Sequence, residues 1–157
     1  MDIRFATDCN LGTLSKWLRI LGYDTLHDRG NADARFVRKA AAAGRIVLTR
    51  KRALVRLSSE ARLVVVKADR ARAQLGEVIE SLGLEPDPAK AMTLCLKCNA
   101  MLVQIPRSEA EGRVPAYVHA KHDHFKSCPA CGSIYWPGTH GRHIETFLGM
   151  HMPVRRP

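Results

Sequence analysis

The chain has 157 residues, of which 46% are hydrophobic, and its net charge of +10 corresponds to a pI near 9.8. This composition is enough for one hydrophobic core with a small added module, whereas no run approaches the roughly 20 apolar residues of a membrane helix. The basic charge favours a polyanionic partner, chiefly nucleic acid; the alternative is a basic protein without such a partner. The opening residues show no signal-peptide pattern and Cys9 is left unpaired, so we expect a cytoplasmic protein.

The first half of the chain alternates β-like runs with amphipathic helical stretches. Strands are predicted at 3–7, 23–27, 45–49 and 61–67, and helices at 11–21, 33–43 and 71–82. Gly22 and Gly44 are placed to end the first two helices. Because strands and helices alternate, we expect a parallel sheet flanked by helices, with short apolar strands that are buried on both faces.

Charged residues follow each predicted strand. Asp8, Asp28 and Asp69 come after the first, second and fourth strands, and Arg50 and Lys51 come after the third. Ligands of parallel sheets bind beyond the carboxyl ends of the strands, so we expect the three carboxylates to meet at one edge. The alternatives are a helix cap for Asp8 and Asp69, and an ordinary turn residue for Asp28.

Basic residues are concentrated in one segment of the chain. This segment contains Arg45, Arg50, Lys51, Arg52 and Arg56, and it is followed by Arg62, Lys67, Arg70 and Arg72. Few acidic residues interrupt the run, which is more typical of a phosphate-binding face than of a helix laced with salt bridges.

Two CxxC pairs dominate the second half of the chain. Cys95 and Cys98 form the first pair, and Cys128 and Cys131 form the second. Two thiolates three residues apart can hold one side of a tetrahedral ion, and a second pair closes the other side, so the spacing predicts a structural zinc site. The alternative is a pair of disulfides.

The prolines at 86 and 88 mark a boundary, because proline cannot continue the preceding helix. We therefore predict an α/β domain at 1–85, a zinc-ribbon module at 91–150 with a polar insert at 106–124, and a tail at 151–157. Within the module, Tyr135 and Trp136 either stack on bases or pack against the neighbouring domain, and we favour packing of His140 on Trp136.

Three segments resemble the Mut-seven C-terminal RNase family. They are Asp8 with 11–24, the run at 44–50 that reads Gly-Arg-Ile-Val-Leu-Thr-Arg, and the run at 128–140 that begins Cys-Pro-Ala-Cys-Gly and ends Tyr-Trp-Pro-Gly-Thr-His. Together they cover nearly the whole chain. The resemblance implies a PIN-like (Rossmann-like) nuclease fold with an appended zinc ribbon, acting on RNA.

The resemblance also implies one or two magnesium or manganese ions at the carboxylates, here Asp8, Asp28 and Asp69, with Asp33 as a substitute for Asp28. Such hard cations prefer oxygen ligands and bridge to phosphate. RNA would be held by Arg50, Lys51, Arg52, Lys16 and Arg19. The chain departs from the family where the pattern Thr-Arg-Asp reads Thr49-Arg50-Lys51, which places an ammonium at a metal-ligand position. This leaves two hypotheses, a weakened metal-dependent ribonuclease and a non-catalytic RNA-binding protein.

Overall fold

The computed structural model describes residues 3–138. In the first half, the strands are β1 Phe5–Thr7, β2 Thr25–His27, β3 Ile46–Thr49 and β4 Leu63–Val65, and the helices are α1 Gly12–Ile20, α2 Ala34–Ala42 and α3 Ala71–Leu82. In the second half, the elements are β5 Val103–Ile105, α4 Arg107–Ala110, α5 Ala116–Lys121, β6 Phe125–Ser127 and β7 Ile134–Tyr135. Short 3₁₀ turns span Cys9–Leu11, Arg52–Leu57 and Pro88–Lys90.

The first four strands form one parallel sheet in the order β2-β1-β3-β4. The chain moves from β1 to β2 on one side and then crosses to β3 on the other side. The carboxyl end of β1 is therefore the point at which the strand order reverses, where open α/β sheets bind ligands. The predicted parallel α/β sheet is confirmed, whereas the finer PIN-like assignment and the domain boundaries stay predictions.

Helices cover both faces of this sheet. One core lies between the sheet and the helices α1 and α3, with Leu14, Leu18 and Val78 at its centre. A smaller core lies under α2 and includes Val37 and Leu54. The layering follows from the helical spacing of the apolar residues, since each helix buries one stripe against the sheet.

Burial on both faces holds for the central strands but is wrong for the edge strands. Every residue of β1 and β3 is buried, while β4 is half-buried throughout and Leu26 of β2 is exposed. The strand order accounts for the difference, because β2 and β4 each have a neighbour on one side only within this sheet.

A second, antiparallel sheet in the order β5-β6-β7 follows the linker. Its own small core contains Ile105, Val118 and Phe125, and the predicted insert folds into the two short helices α4 and α5. The expected packing of His140 and the predicted tail lie outside the described residues. No helix within residues 3–138 is long and apolar enough to span a membrane.

Candidate functional site

Asp8 lies at the reversal point of the sheet and is 1% exposed. Its Oδ1 accepts a hydrogen bond from the Asn10 N–H at 2.8 Å, which caps the 3₁₀ turn after β1. Its Oδ2 accepts from the Thr49 hydroxyl at 2.6 Å and from the Arg50 N–H at 2.8 Å. The helix-cap alternative thus describes one oxygen of this side chain, while the other oxygen joins β1 to the end of β3.

Asp28 lies at the end of β2, next to Asp8 across the sheet edge. Its N–H donates to the Thr7 carbonyl at 2.9 Å, and its Oδ1 accepts from the Gly30 N–H at 2.7 Å. Asp33 is exposed and caps α2 by accepting from the Phe36 N–H at 3.0 Å. Asp28 therefore has a place at the carboxyl edge, whereas the Asp33 carboxylate is used in a helix cap.

Asp69 is held by Arg50 at the end of β4. The Arg50 Nη2 lies 2.8 Å from Asp69 Oδ1, and its Nη1 donates to the carbonyls of Lys67 and Ala68. The Asp69 side chain is 89% exposed. Arg50, which we predicted to bind RNA, thus fastens β3 to the loop after β4 and balances the charge of Asp69.

Lys51 and Arg52 are exposed at the end of β3. The Lys51 Nζ donates to the Ala32 carbonyl at 3.0 Å. Ala32 lies in the segment after β2, which is two strands away from β3 in the sheet. Among the described residues Lys51 makes no ion pair with Asp8, Asp28 or Asp69. The ammonium therefore does not take the place of a metal by bridging these carboxylates.

The three predicted carboxylates do not form a three-ligand cation site within residues 3–138. Asp28 directly follows His27, and Asp8 directly follows Thr7, whose hydroxyl is next to the His27 ring. Both carboxylates therefore raise the pKa of this imidazole. Burial and the positive charges of Arg19 and Arg29 outweigh them, so that the pKa of His27 falls below its usual range. The His27 ring nitrogen Nδ1 lies 3.1 Å from the Thr7 hydroxyl, which fixes the ring beside the two aspartates.

The other two predicted RNA-binding residues, Lys16 and Arg19, line one cavity with Arg29 and Lys97. Sequence reasoning missed the last two. The position of Arg29 directly after Asp28 was a usable signal for it. Lys97 reaches the cavity because its cysteine loop folds back onto α1, which no local pattern shows.

The four cysteines come together as the sequence predicts. Their sulfurs all lie within 4.8 Å of one another, with 3.6 Å between Cys95 and Cys131 and 3.4 Å between Cys98 and Cys128. A tetrahedral zinc with bonds of about 2.3 Å places its sulfurs about 3.8 Å apart, whereas a disulfide bond is about 2.05 Å long. None of the four cysteines forms a disulfide, and each sulfur lies next to one from the other loop. The disulfide alternative is therefore wrong, and the donor set suits zinc.

Tyr135 supports this cysteine site. Its hydroxyl lies 3.2 Å from Cys95 Sγ and accepts a hydrogen bond from the Leu96 N–H at 3.2 Å. Burial alone would raise the pKa of Cys95, but the tyrosine hydroxyl and the N–H groups of the loop lower it to about 6. The lowered pKa favours the thiolate, which is the form that binds zinc. Tyr135 packs against the cysteines of its own module and does not present a free ring.

Asn99 fastens the first cysteine loop to the parallel sheet. It has a positive φ of 67°, as Gly132 does at 71° in the matching position after the second pair. Its Oδ1 accepts from the Thr25 N–H at 3.0 Å, and its Nδ2 donates to Asp24 Oδ1 at 2.6 Å. Arg45 binds the same Asp24 carboxylate through two nitrogens, at 2.8 and 3.0 Å.

Comparison with protein-family models matches residues 3–148 to the Mut7-C RNAse domain. No curated protein and no solved structure matches the chain significantly. The matched range includes the parallel sheet, the linker and all four cysteines.

Proposed function

Because the chain belongs to the Mut7-C RNAse domain family, we propose that it is a metal-dependent ribonuclease of PIN-like type that hydrolyses RNA phosphodiesters. The observation that carries the proposal is the Asp8 carboxylate, buried at the reversal point of the sheet and oriented by three donors. A buried carboxylate that three groups hold in place is suited to binding a cation in a fixed direction.

Two carboxylates are enough for such a site. Magnesium is commonly held by one or two carboxylates together with waters and the phosphates of the substrate. Asp8 and Asp28 supply that number from the ends of the neighbouring strands β1 and β2, where the Asp28 N–H donates to the Thr7 carbonyl at 2.9 Å. Asp69 would have to leave Arg50 to join them. A bound magnesium or manganese ion would make the attacking water more acidic and offset charge on the phosphate.

The basic residues around Asp8 support RNA as the substrate. Arg50, Lys51 and Arg52 lie on the β3 side of this carboxylate, and Lys16 and Arg19 lie on the α1 side. A strand that crosses the carboxyl edge of the sheet would meet cations on both sides of the reacting phosphate, which suits a polyanion better than a small neutral substrate.

Cleavage of a panel of labelled single-stranded and hairpin RNAs tests the proposal. We expect cleavage to depend on added magnesium or manganese. Asp8→Asn should lower the rate roughly a hundredfold, the order of loss seen when one group that stabilises transition-state charge is removed. The metal is omitted rather than chelated, because a strong chelator would also remove zinc from the cysteines.

Two further variants serve as controls for this cleavage assay. Asp28→Asn changes a carboxylate outside the core and should also slow cleavage, which separates a chemical effect from misfolding of Asp8→Asn. Asp87→Asn makes the same change in the linker, where the side chain caps a 3₁₀ turn, and should cleave normally. Equal cleavage by all variants would identify a contaminating nuclease, and an uncut panel with either metal would overturn the ribonuclease proposal.

The second candidate is a non-catalytic RNA-binding protein, and two observations favour it. Lys51 replaces the acidic residue of the family pattern, and Arg50 neutralises Asp69. This candidate is supported if the same RNAs bind in a salt-sensitive way, remain intact, and bind equally well with and without added magnesium.

A further inference from the structure

A cavity of about 710 Å³ opens beside the candidate active site. Its walls come from the turn after β1, the start of α1, the end of β2 and the first cysteine loop. The side chains that matter for its chemistry are Lys16, Arg19, His27, Arg29 and Lys97. We call it the basic cavity.

The basic cavity brings several cationic side chains together. No aspartate or glutamate is among its lining residues. Lys16, Arg29 and Lys97 are exposed, and none of the three has an ion-pair partner within residues 3–138. Other arginines of the same region are paired, as Arg45 is with Asp24 and Arg50 with Asp69. Cations that converge without a carboxylate repel one another unless an anion joins them.

Arg19 gives the basic cavity a rigid floor. The residue is 5% exposed, and it donates from Nε to the Thr25 carbonyl at 2.9 Å and from Nη1 to the Leu96 carbonyl at 2.8 Å. The first bond holds the guanidinium to β2, and the second holds it to the cysteine loop. Arg19 is also one of the lining residues, so its guanidinium adds to the positive charge of the cavity wall.

The cysteine site fixes the backbone position of Lys97. Lys97 lies between Cys95 and Cys98, so its backbone position follows from the geometry of the thiolates. The contacts of Arg19 with Leu96 and of Asn99 with Thr25 then place the loop against the sheet. Lys97 is thereby brought to the same cavity as Lys16 and Arg29, from which it is separated by many residues of chain.

We propose that the basic cavity binds a backbone phosphate of the RNA strand next to the one held at Asp8, and that Lys97 of the zinc ribbon is one of its ligands. The identity of the anion as RNA rests on the proposed function, whereas the binding of a phosphate follows from the cavity. Cys9 and Asn10 line the cavity directly after Asp8, so the two phosphates lie on one path. The ribbon thus takes part in substrate binding in addition to supporting the sheet.

Binding of a short fluorescein-labelled single-stranded RNA to the zinc-loaded full chain, followed by fluorescence anisotropy without added magnesium, tests this site. We expect Lys97→Ala and Arg29→Ala each to weaken binding roughly tenfold, as for the loss of one charge-assisted contact. The slope of log K against log salt is negative, and it should become less negative by about 0.7 for each variant, the value for one phosphate on a single strand. Lys97→Arg should keep most of the affinity.

Lys39→Ala is the matched control, since it removes one exposed lysine from α2, outside the cavity lining. It should change affinity less than twofold, and zinc content should be unchanged in every variant. Weakening by Lys97→Ala no greater than by Lys39→Ala overturns the proposal. Binding is measured without added magnesium and independently of cleavage. A chain that lacks ribonuclease activity can therefore still show the expected loss of affinity. Conversely, if the parent chain cleaves RNA and Lys97→Ala binds RNA as tightly as the parent chain does, the cavity proposal is refuted and the ribonuclease proposal stands. A DNA strand of the same sequence that binds equally well would show a phosphate site and refute RNA as its specific ligand.

Discussion

At the scale of single residues, the candidate site is organised by hydrogen bonds to Asp8 rather than by a cluster of carboxylates. Thr49 and Arg50 approach one oxygen and Asn10 the other. Thr49 and Arg50 lie at the end of β3, and Asn10 lies in the 3₁₀ turn that follows β1. The Asp8 carboxylate is therefore held between the ends of the two most deeply buried strands of the sheet.

His27 predicts a pH dependence of RNA binding. Burial and the charges of Arg19 and Arg29 lower the pKa of this imidazole, against the opposing effect of Asp8 and Asp28, so it is neutral near pH 7 in the free protein. A phosphate in the basic cavity adds negative charge and raises the pKa. Since the bound state then takes up a proton, affinity should rise as pH falls from about 7 toward 5.5, by up to about tenfold for each unit between the two pKa values.

His27→Asn is the variant that isolates this effect. Asparagine keeps a polar group near the Thr7 hydroxyl, which lies 3.1 Å from the His27 ring, and it does not titrate. Anisotropy titrations of both proteins between pH 5.5 and pH 7.5, a window set by the usual histidine pKa near 6.5, measure the difference. An identical pH profile for the two proteins would contradict the role of His27, because other histidines would then account for the dependence.

At the scale of elements, hydrophobic periodicity and terminating glycines predict the chain well. The helices α1, α2 and α3 and the strands β1 to β4 all form within the predicted segments. These features depend on residues close in sequence. Gly22 illustrates the limit: a glycine after α1 was expected, but its second role was not, since a Cβ there would overlap with the Lys90 backbone of the linker.

The site was predicted less completely for the same reason. Reading the residue after each strand places Asp8 and Asp28 at the carboxyl edge, because parallel strands share that edge, while their role there stays a prediction. It could not show that Arg50 would bind Asp69, nor that Lys51 would reach the Ala32 carbonyl. Those contacts depend on the lengths and directions of side chains in the folded state, which strand spacing does not specify.

Asn99 allows zinc binding to be separated from attachment of the ribbon. Glycine adopts the positive φ of this position without strain, so Asn99→Gly should bind zinc normally. It loses the bonds to the buried Thr25 N–H and to Asp24, and we expect a loss of about 1–3 kcal/mol in the free energy of unfolding. Chemical denaturation together with a zinc assay measures both quantities.

Asn99→Ala serves as the comparison. Alanine lacks the same hydrogen bonds, and its Cβ destabilises the left-handed backbone conformation by about 1–2 kcal/mol relative to glycine. The alanine variant should therefore be the less stable of the two. If Asn99→Gly is as stable as the parent chain, the hydrogen bonds to the sheet contribute nothing. If it loses zinc, the asparagine side chain is required by the cysteine loop itself.

At the scale of the whole molecule, positive charge is distributed around the carboxyl edge of the sheet from two directions. The basic cavity contributes Lys16, Arg29 and Lys97 on one side of Asp8, and Lys51 and Arg52 lie on the other. Three of these residues belong to loops after strands, one to a helix and one to the ribbon. These five cations border the carboxyl edge that an RNA strand would cross under the proposed function.

A zinc ion at the four cysteines would hold the loop of Lys97 in place, so removing the metal should affect the two halves of the molecule differently. The parallel sheet has its own cores around Leu14, Leu18 and Val37 and should stay folded. The antiparallel sheet has only two small cores, one around Phe125 and one at the cysteines, and structural zinc supplies about 10 kcal/mol or more to the folding of such modules. Hydrogen exchange should therefore show lost protection in β6 and β7 and retained protection in β1 and β3.

RNA affinity should fall at the same time by at least the factor seen for Lys97→Ala, because the loop that carries Lys97 is no longer held against α1. Zinc is removed with a selective chelator and then restored, and recovery of both exchange protection and affinity is the control for irreversible damage. Equal loss of protection in both sheets would mean that the halves fold as one unit. Unchanged affinity in the zinc-free chain would show that RNA binds through the parallel sheet without the ribbon.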